Sequence, residues 1–444
     1  MIYRVAIVGS GISGLSAAYY LNKHPNIEVR LFEANDYFGG HTHTVDVMGE
    51  TAKGIQSYPV DTGFLVFNER TYPKLIALFK ELKIPTAHSD MSFSVQAPKR
   101  NNTTLEWSGS SLNSVFAQRD NLFRKSFLFM LKDIIRFNKL TSHLAQDSNP
   151  IGLEIPLQVF LLKHKFCSEF INWYLLPMLG CIWSCPPHQM LEFPLATMIR
   201  FCHNHGLLQI TNRPKWFTVA GGAKQYVAAI IEQLDHAYLN TPVLSISRSQ
   251  GEIRLTTPRG QEIFDRVIIS SHADQALKML TAPSVDESRL LSAFKFKDNV
   301  AVLHKDSKIL PSKKIAWAAW NFENSHLSNN SSNMEASGES NNVCLHYYLN
   351  MLQPIPFTEP IVVSLNPIRE IDQTKISAQF NYSHPIFDLN TIRAQQEIQS
   401  IQGHLNTWYA GAWLGYGFHE DGLKAGEAAA NGVLDSLQVR GNLL

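Results

Sequence analysis

The first hydrophobic feature is an unbroken run, VAIV at residues 5–8, of the kind required by a strand buried on both faces. Gly9, Gly11 and Gly14 follow at once, and an Ala/Leu-rich helical segment continues to about residue 21. Residues 29–32 form a second strand pattern ending in Glu33, so residues 1 to about 34 predict a βαβ unit. Leu75, Leu78, Phe79 and Leu82 share one face of a helix expected over 74–83. From about 110 to 210 the pattern is mainly helical. Within it, LFRKSFLFMLKDIIRF (122–137) is amphipathic and carries Arg124, Lys125, Lys132 and Arg136. That helix can rest on an anionic membrane surface or pack on its own domain.

Residues 216–231 read as strand, Gly-Gly turn and helix, and strand patterns follow over 241–270. VAVLH, IAWAAW, VCLHYYL and IVVSL (300–365) predict an antiparallel sheet, interrupted by a polar low-complexity loop at 324–342. Residues 407–434 close the pattern with strand, Gly-rich turn and helix. FINWYLLPMLGCIWSCPP (170–187) is the most apolar segment, but Pro177, Gly180 and Pro186 interrupt it. No uncharged apolar run reaches the roughly 18 residues of a spanning helix. The N-terminal residues read as a first strand and not as a signal peptide, so a cytoplasmic location is expected.

Composition changes this picture little. The 444 residues hold 45% hydrophobic and 17% charged side chains, which suits a globular protein of two domains. A net charge of +1 gives no case for nucleic-acid binding. Cys167, Cys181, Cys185, Cys202 and Cys344 form no secreted-type framework and read as reduced, mostly buried thiols. His41 and His43 have no spaced carboxylate or thiol partner, so no metal is expected.

The candidate chemistry lies in G-x-G-x-x-G. Gly9 permits the tight turn, Gly11 lets the backbone approach a pyrophosphate, and Gly14 lets helix pack on strand. The helix start offers free N–H groups and a favourable dipole to the anion. Glu33, nineteen residues after Gly14, stands where a carboxylate binds a ribose hydroxyl. Together these features predict dinucleotide binding.

Three further segments carry a family resemblance. These are Gly39-Gly40 after Glu33, Gly221-Gly222 before a helix, and the C-terminal YAGAW…GFHEDGLKAGEAAA. With the fingerprint, they make the chain resemble the flavin amine oxidase superfamily, which includes monoamine oxidase, protoporphyrinogen oxidase and phytoene desaturase. GGHTHTVDV, VDTGFLVFNERTYP, SDMSFSV, WSCPP and YGFHEDGL are similar to a bacterial subgroup of it. Members of that subgroup are often encoded beside cyclopropane-fatty-acid-synthase-like methyltransferases.

The resemblance implies an α/β fold: a Rossmann-type FAD-binding domain (1–80, 205–275 and 400–444) intertwined with an α+β substrate domain (81–204 and 276–399). It implies non-covalent FAD. Gly9, Gly11, Ile12, Ser13 and Gly14 would meet the pyrophosphate, and Glu33 the ribose. Gly40, His41 and Thr42 would flank the pyrophosphate and ribityl chain, and Val243 the adenine. Gly411, Ala412, Asp421, Gly422 and Leu423 would lie along the flavin.

Departures from the family pattern shape the expected substrate. His41 replaces the usual arginine, Asn299 falls near the position of the flavin-side lysine, and the two aromatic-cage positions fall near Trp408 and Phe418. These changes disfavour amines and point to an apolar, fatty-acyl or lipid-like substrate in a pocket lined by Trp408 or Phe418. No second G-x-G-x-x-G serves a nicotinamide, so oxygen, a quinone or another carrier would reoxidise the flavin. Amine oxidation, NAD-dependent dehydrogenation and a non-enzymatic partnership with a lipid methyltransferase are the alternatives.

Overall fold

The computed structural model describes residues 2–98, 103–146, 155–183, 187–209, 213–249, 251–324 and 343–441. Its centre is a five-stranded parallel sheet ordered Ala237–Tyr238, Ile27–Phe32, Tyr3–Val8, Arg266–Ile269, Thr407–Tyr409. Val5 sits level with Val29 on one side and Arg266 on the other. Alternation along the first strand explains its wholly apolar sequence. Val5 and Ile7 face the helices Ile12–Leu21 and His419–Gly441, whereas Ala6 and Val8 face the antiparallel strands Ser245–Ser249, Glu252–Thr257 and Gly260–Phe264.

The second large sheet has seven strands, ordered Ile376–Ile386, Lys295–His304, Val362–Leu365, Cys344–Tyr348, Trp320–Glu323, Phe93–Pro98, Thr104–Ser108. All its pairings are antiparallel except Trp320–Glu323 with Phe93–Pro98. Against it lie helices that include Lys125–Gln146, Leu176–Trp183 and Leu195–Asn204, sharing one apolar core. The most apolar segment is thus a buried helix preceded by a π turn at Ile171–Leu175. Among the described residues, no helix is long and apolar enough to cross a membrane.

One local expectation is corrected. IAWAAW is not one strand: Lys314–Ala316 is a 3-10 turn, and the strand begins only at Trp320. The intervening backbone is held by side chains, with Ala318 N donating to Asn321 Oδ1 at 3.0 Å. A small sheet joins Phe67–Asn68, Trp216–Val219 and Thr86–Ser89. Most of the polar loop, residues 325–342, lies outside the described residues, as does Cys185.

Candidate active site

The turn after the first strand is built around its glycines. Gly9 has φ +99°, and its N–H donates to Phe32 O at 2.8 Å, which closes the strand end. A Cβ at Gly14 would lie 1.9 Å from Gly9 O, so only hydrogen fits there. A Cβ at Gly11 would meet no protein atom within 4 Å. Gly11 is also the N-cap of the helix Ile12–Leu21, and no side chain caps the first amides of that helix. Gly40 folds back until a Cβ on it would stand 3.1 Å from Gly11 Cα, and Gly39 bridges Gly11 directly.

Glu33 is buried beside this turn. Its Oε2 accepts from Ser10 N (2.9 Å) and Ser10 Oγ (2.6 Å), and its Oε1 from Asn35 N (2.9 Å). Glu33 O accepts from Thr241 N at 2.8 Å, which draws in the segment carrying buried Val243. Ser10 completes the corner, with Gly39 N donating to its hydroxyl at 3.1 Å. Its only signal in the sequence is a hydroxyl residue between the first two glycines.

Thr42 is buried and shares its hydroxyl with Tyr226 OH and, at 2.9 Å, with His419 Nε2. The His419 ring stacks on Phe64 with centroids 3.6 Å apart, and burial lowers its pKa to about 3. Nearby, burial raises Asp61 to about 7, while Ala223 N and Thr44 Oγ1 donate to it at 2.9 and 2.5 Å. Asp61 thereby ties the Gly221-Gly222 turn to the strand Gly54–Asp61.

The opposite wall comes from the strand Ile376–Ile386, whose alternate residues Phe380, Tyr382 and His384 face the histidines of the GGHTH segment. His41 lies 5.3 Å from both Tyr382 and His384 and 6.3 Å from His272, between ring centroids. Its Nε2 is buried with no hydrogen-bond partner, and burial drives its pKa well below the ordinary histidine value. Burial likewise lowers His384 to about 4. Asn299 stands one step behind: its Nδ2 lies 2.8 Å from His384 Nδ1, and its Oδ1 accepts from Asn366 Nδ2 at 2.7 Å. It touches the site through His384.

The C-terminal segment divides its expected contributors. Gly411 is extended, and Trp413 fills the space its side chain would take. Ala412 starts a short turn beside Gly422. Gly422 presses on Ile12 and Ser13, and Gly426 on Ser13 O, so the last helix meets the first at close range. Leu423 is fully buried in the core, and only its backbone bears on the site, its O accepting from Ser16 Oγ at 2.9 Å. Burial raises Asp421 to about 6, and its Oδ2 accepts from Tyr416 N and Phe418 N at 3.0 and 3.1 Å.

The two expected cage residues differ in setting. Phe418 stacks on Phe201 (4.9 Å) and lies 5.9 Å from His205, beside a cleft of about 280 Å³ walled by Arg70, Tyr72, His205, Tyr416 and Lys424. Trp408 instead lies in the core of the parallel sheet, wedged against Gly403 and Gly432, because its strand position points toward the last helix. Of the two, Phe418 lines the cleft and Trp408 is buried in the apolar cluster on which Phe418 also packs.

The residues present fit FAD. Open space at Gly11 above helical amides with no side-chain cap suits a pyrophosphate, the buried Glu33 carboxylate beside it suits a ribose hydroxyl, and His41 Nε2 is buried with no hydrogen-bond partner. Residues 12–334 match the family profile of flavin containing amine oxidoreductases. No curated protein sequence matches the chain. Similar solved structures include a CLA-producing fatty acid isomerase from P. acnes (14% identity, TM-score 0.66, covering 97% of this chain and 98% of that one). Cyclohexylamine oxidase from Brevibacterium oxydans IH-35A is similar at 16% identity and TM-score 0.66, covering 99% of this chain and 100% of its own. Putrescine oxidase bound to putrescine follows at 14% identity and TM-score 0.65, covering 98% and 99%. The cradle and the match over most of the length lead to one conclusion: this chain belongs to the flavin containing amine oxidoreductase family and is an FAD-dependent oxidoreductase.

Proposed function

We propose that the protein is an oxidase or desaturase acting on an apolar, fatty-acyl or lipid-like substrate. The observation that carries this reading is the stack of aromatic rings around Phe418, at a cleft also lined by Arg70, Glu420, Asp421 and Lys424. Phe201 stacks on Phe418 and His205 and packs against Trp183 (4.6 Å), while burial lowers His205 to about 4 and keeps it neutral at pH 7. The carboxylates at this cleft that could pair with a substrate ammonium are already engaged. Glu420 already accepts from Lys74 N and Leu75 N and pairs with Lys424, and Asp421 is engaged by two backbone amides. An acyl chain gains roughly 0.8 kcal/mol per buried CH₂ in such surroundings, whereas a cation loses hydration.

Bound flavin supplies the capacity to take a hydride or electrons from a desolvated carbon. In this reading Gly9, Gly11, Ile12, Ser13 and Gly14 hold the pyrophosphate and Glu33 the ribose. His41, His384 and Tyr382 form one wall, Phe418 orients the chain, and Asn299 fixes the ring of His384. A carrier outside the chain (oxygen, a quinone or another acceptor) takes the electrons. The reading implies a part in lipid metabolism and a cytoplasmic location, and the shared fold with a fatty acid isomerase supports it.

Amine oxidation is the second reading, favoured by the amine oxidases of the same fold. Anaerobic mixing separates the two. Acyl lipids are expected to remove the visible absorbance of oxidised flavin, while mono- and polyamines leave it unchanged. Rapid loss with an amine and none with acyl lipids would overturn the acyl reading.

A further inference from the structure

The helix Lys125–Gln146 exposes a stripe at residues 125, 128, 129, 132, 135, 136, 139 and 143, the three- and four-residue spacing of a single face. That stripe reads Lys, Leu, Phe, Lys, Ile, Arg, Lys, His, with no acid. Its apolar members are well exposed, Phe129 at 56% and Ile135 at 60%, and Phe123 just before the helix is 88% exposed. The acid of this helix, Asp133, is turned inward, where it accepts from Cys167 N at 2.8 Å and pairs with Arg136 at 3.2 Å. Lys125, Lys132 and Lys139 have no acid partner among the described residues. In a chain with 39 basic and 38 acidic residues, such local segregation is a property of this face and not of the composition.

A soluble surface rarely displays large apolar side chains interleaved only with cations. We propose that this face docks on an anionic lipid bilayer, with Phe123, Leu128, Phe129 and Ile135 entering the headgroup region and the lysines pairing with lipid phosphates. Charge complementarity selects this occupant, because lysines flanking inserted apolar residues gain from an anionic surface and lose against a neutral one. The other face of the helix leads inward. Phe127, Met130 and Phe137 are buried, and the helix packs on Leu195–Asn204, whose Phe201 stacks on Phe418. A bilayer held there would connect to the cleft through this packed pair of helices. That link to lipid substrates rests on the function proposed above, whereas the docking face does not.

Sedimentation of the FAD-loaded protein with vesicles tests the face. The protein is expected to pellet with vesicles of equimolar phosphatidylglycerol and phosphatidylcholine and to stay in solution with phosphatidylcholine alone. Each lysine near an anionic surface is worth roughly a fivefold change in partition, so Lys125→Glu, Lys132→Glu and Lys139→Glu together should weaken binding by roughly a hundredfold or more. Phe123→Ser with Phe129→Ser should weaken it with the charges intact. Flavin absorbance and thermal melting check that both variants stay folded. Wild-type protein that ignores anionic vesicles, or a triple variant that binds them equally well, would overturn the proposal. So would a wild-type oligomer that these substitutions dissociate, because the face would then join two copies of the chain. Turnover of an acyl substrate in detergent micelles is a separate readout. It fails if the substrate reading is wrong, whatever the vesicles show.

Discussion

The nucleotide end and the substrate end of this site are built by opposite means. At the nucleotide end, backbone does the work: Gly9, Gly11, Gly14, Gly39 and Gly40 bring main chain close to main chain, and Glu33 and Ser10 lock the corner. At the substrate end, side chains do it. Tyr382 and His384 of one strand meet His41 through their rings, and Phe201 and His205 of one helix end meet Phe418. The first design tolerates almost no added atom, whereas the second can change its lining while the scaffold stays. A family that keeps one cofactor and varies its substrates can be built on that division.

Glycine substitutions give the largest expected effects, and they differ sharply from one another. Gly14→Val should abolish folding, since its Cβ would lie 1.9 Å from Gly9 O. A Cβ at Gly11 meets no protein atom within 4 Å, so Gly11→Val should fold with a loss within about 1 kcal/mol, yet purify colourless because the side chain takes the pyrophosphate's space. Circular dichroism with the flavin spectrum separates the two. A yellow Gly11→Val protein would break the comparison at its strongest point.

Next in size is Glu33→Gln. It loses charge-assisted bonds to Ser10 and Asn35, and FAD affinity should fall by roughly 10- to 100-fold, measured by fluorescence of released flavin. Phe418→Ala should leave FAD content unchanged. It should lower kcat/KM for an acyl substrate roughly tenfold, with a loss of about 1–2 kcal/mol in stability from the broken stack on Phe201. Loss of FAD in that variant would mean that the two ends are not separable.

The smallest effect is on pH. Unfolded histidines take a proton near 6.5, but burial keeps His205, His304 and His384 neutral down to about 4. The unfolded chain therefore binds more protons in that window, and stability is lost as pH falls from about 6.5 to about 4. Asp61 and Asp421 oppose this. Their folded pKa values of about 7 and about 6 lie above the unfolded range, so their contribution is lost as pH rises from about 4 to 7. The histidines outnumber them, so the melting temperature should fall on acidification, and more steeply in Asp61→Asn. A flat profile in that variant would contradict the assignment.

The nucleotide end was legible in the sequence because its physics is local. Tight turns demand glycine, and the acid must follow one strand later. Ser10 escaped because a serine between glycines has no unique meaning until Glu33 is seen accepting from it. The substrate end was largely illegible. Phe380, Tyr382 and His384 alternate on one face of their strand, but nothing local says that His41 faces them. Trp408 shows the same limit from the other side, since nothing in its neighbours says that its ring wedges against Gly403 and Gly432. Asn299 sits in the expected strand, yet its amide is spent on His384 and Asn366.

The clasp of the last helix on the first carries a consequence for how the protein is made. Ser16 bonds to Leu423 across 407 residues of chain. At ribosomal speeds the first helix waits about 20–80 s for that partner to emerge. Until then the parallel sheet lacks its edge strand Thr407–Tyr409 and the cofactor cradle lacks its backing. FAD can be retained only after translation has passed the clasp. A chain interrupted before it would be a cofactor-free protease substrate, so the order of synthesis itself screens out incomplete enzyme.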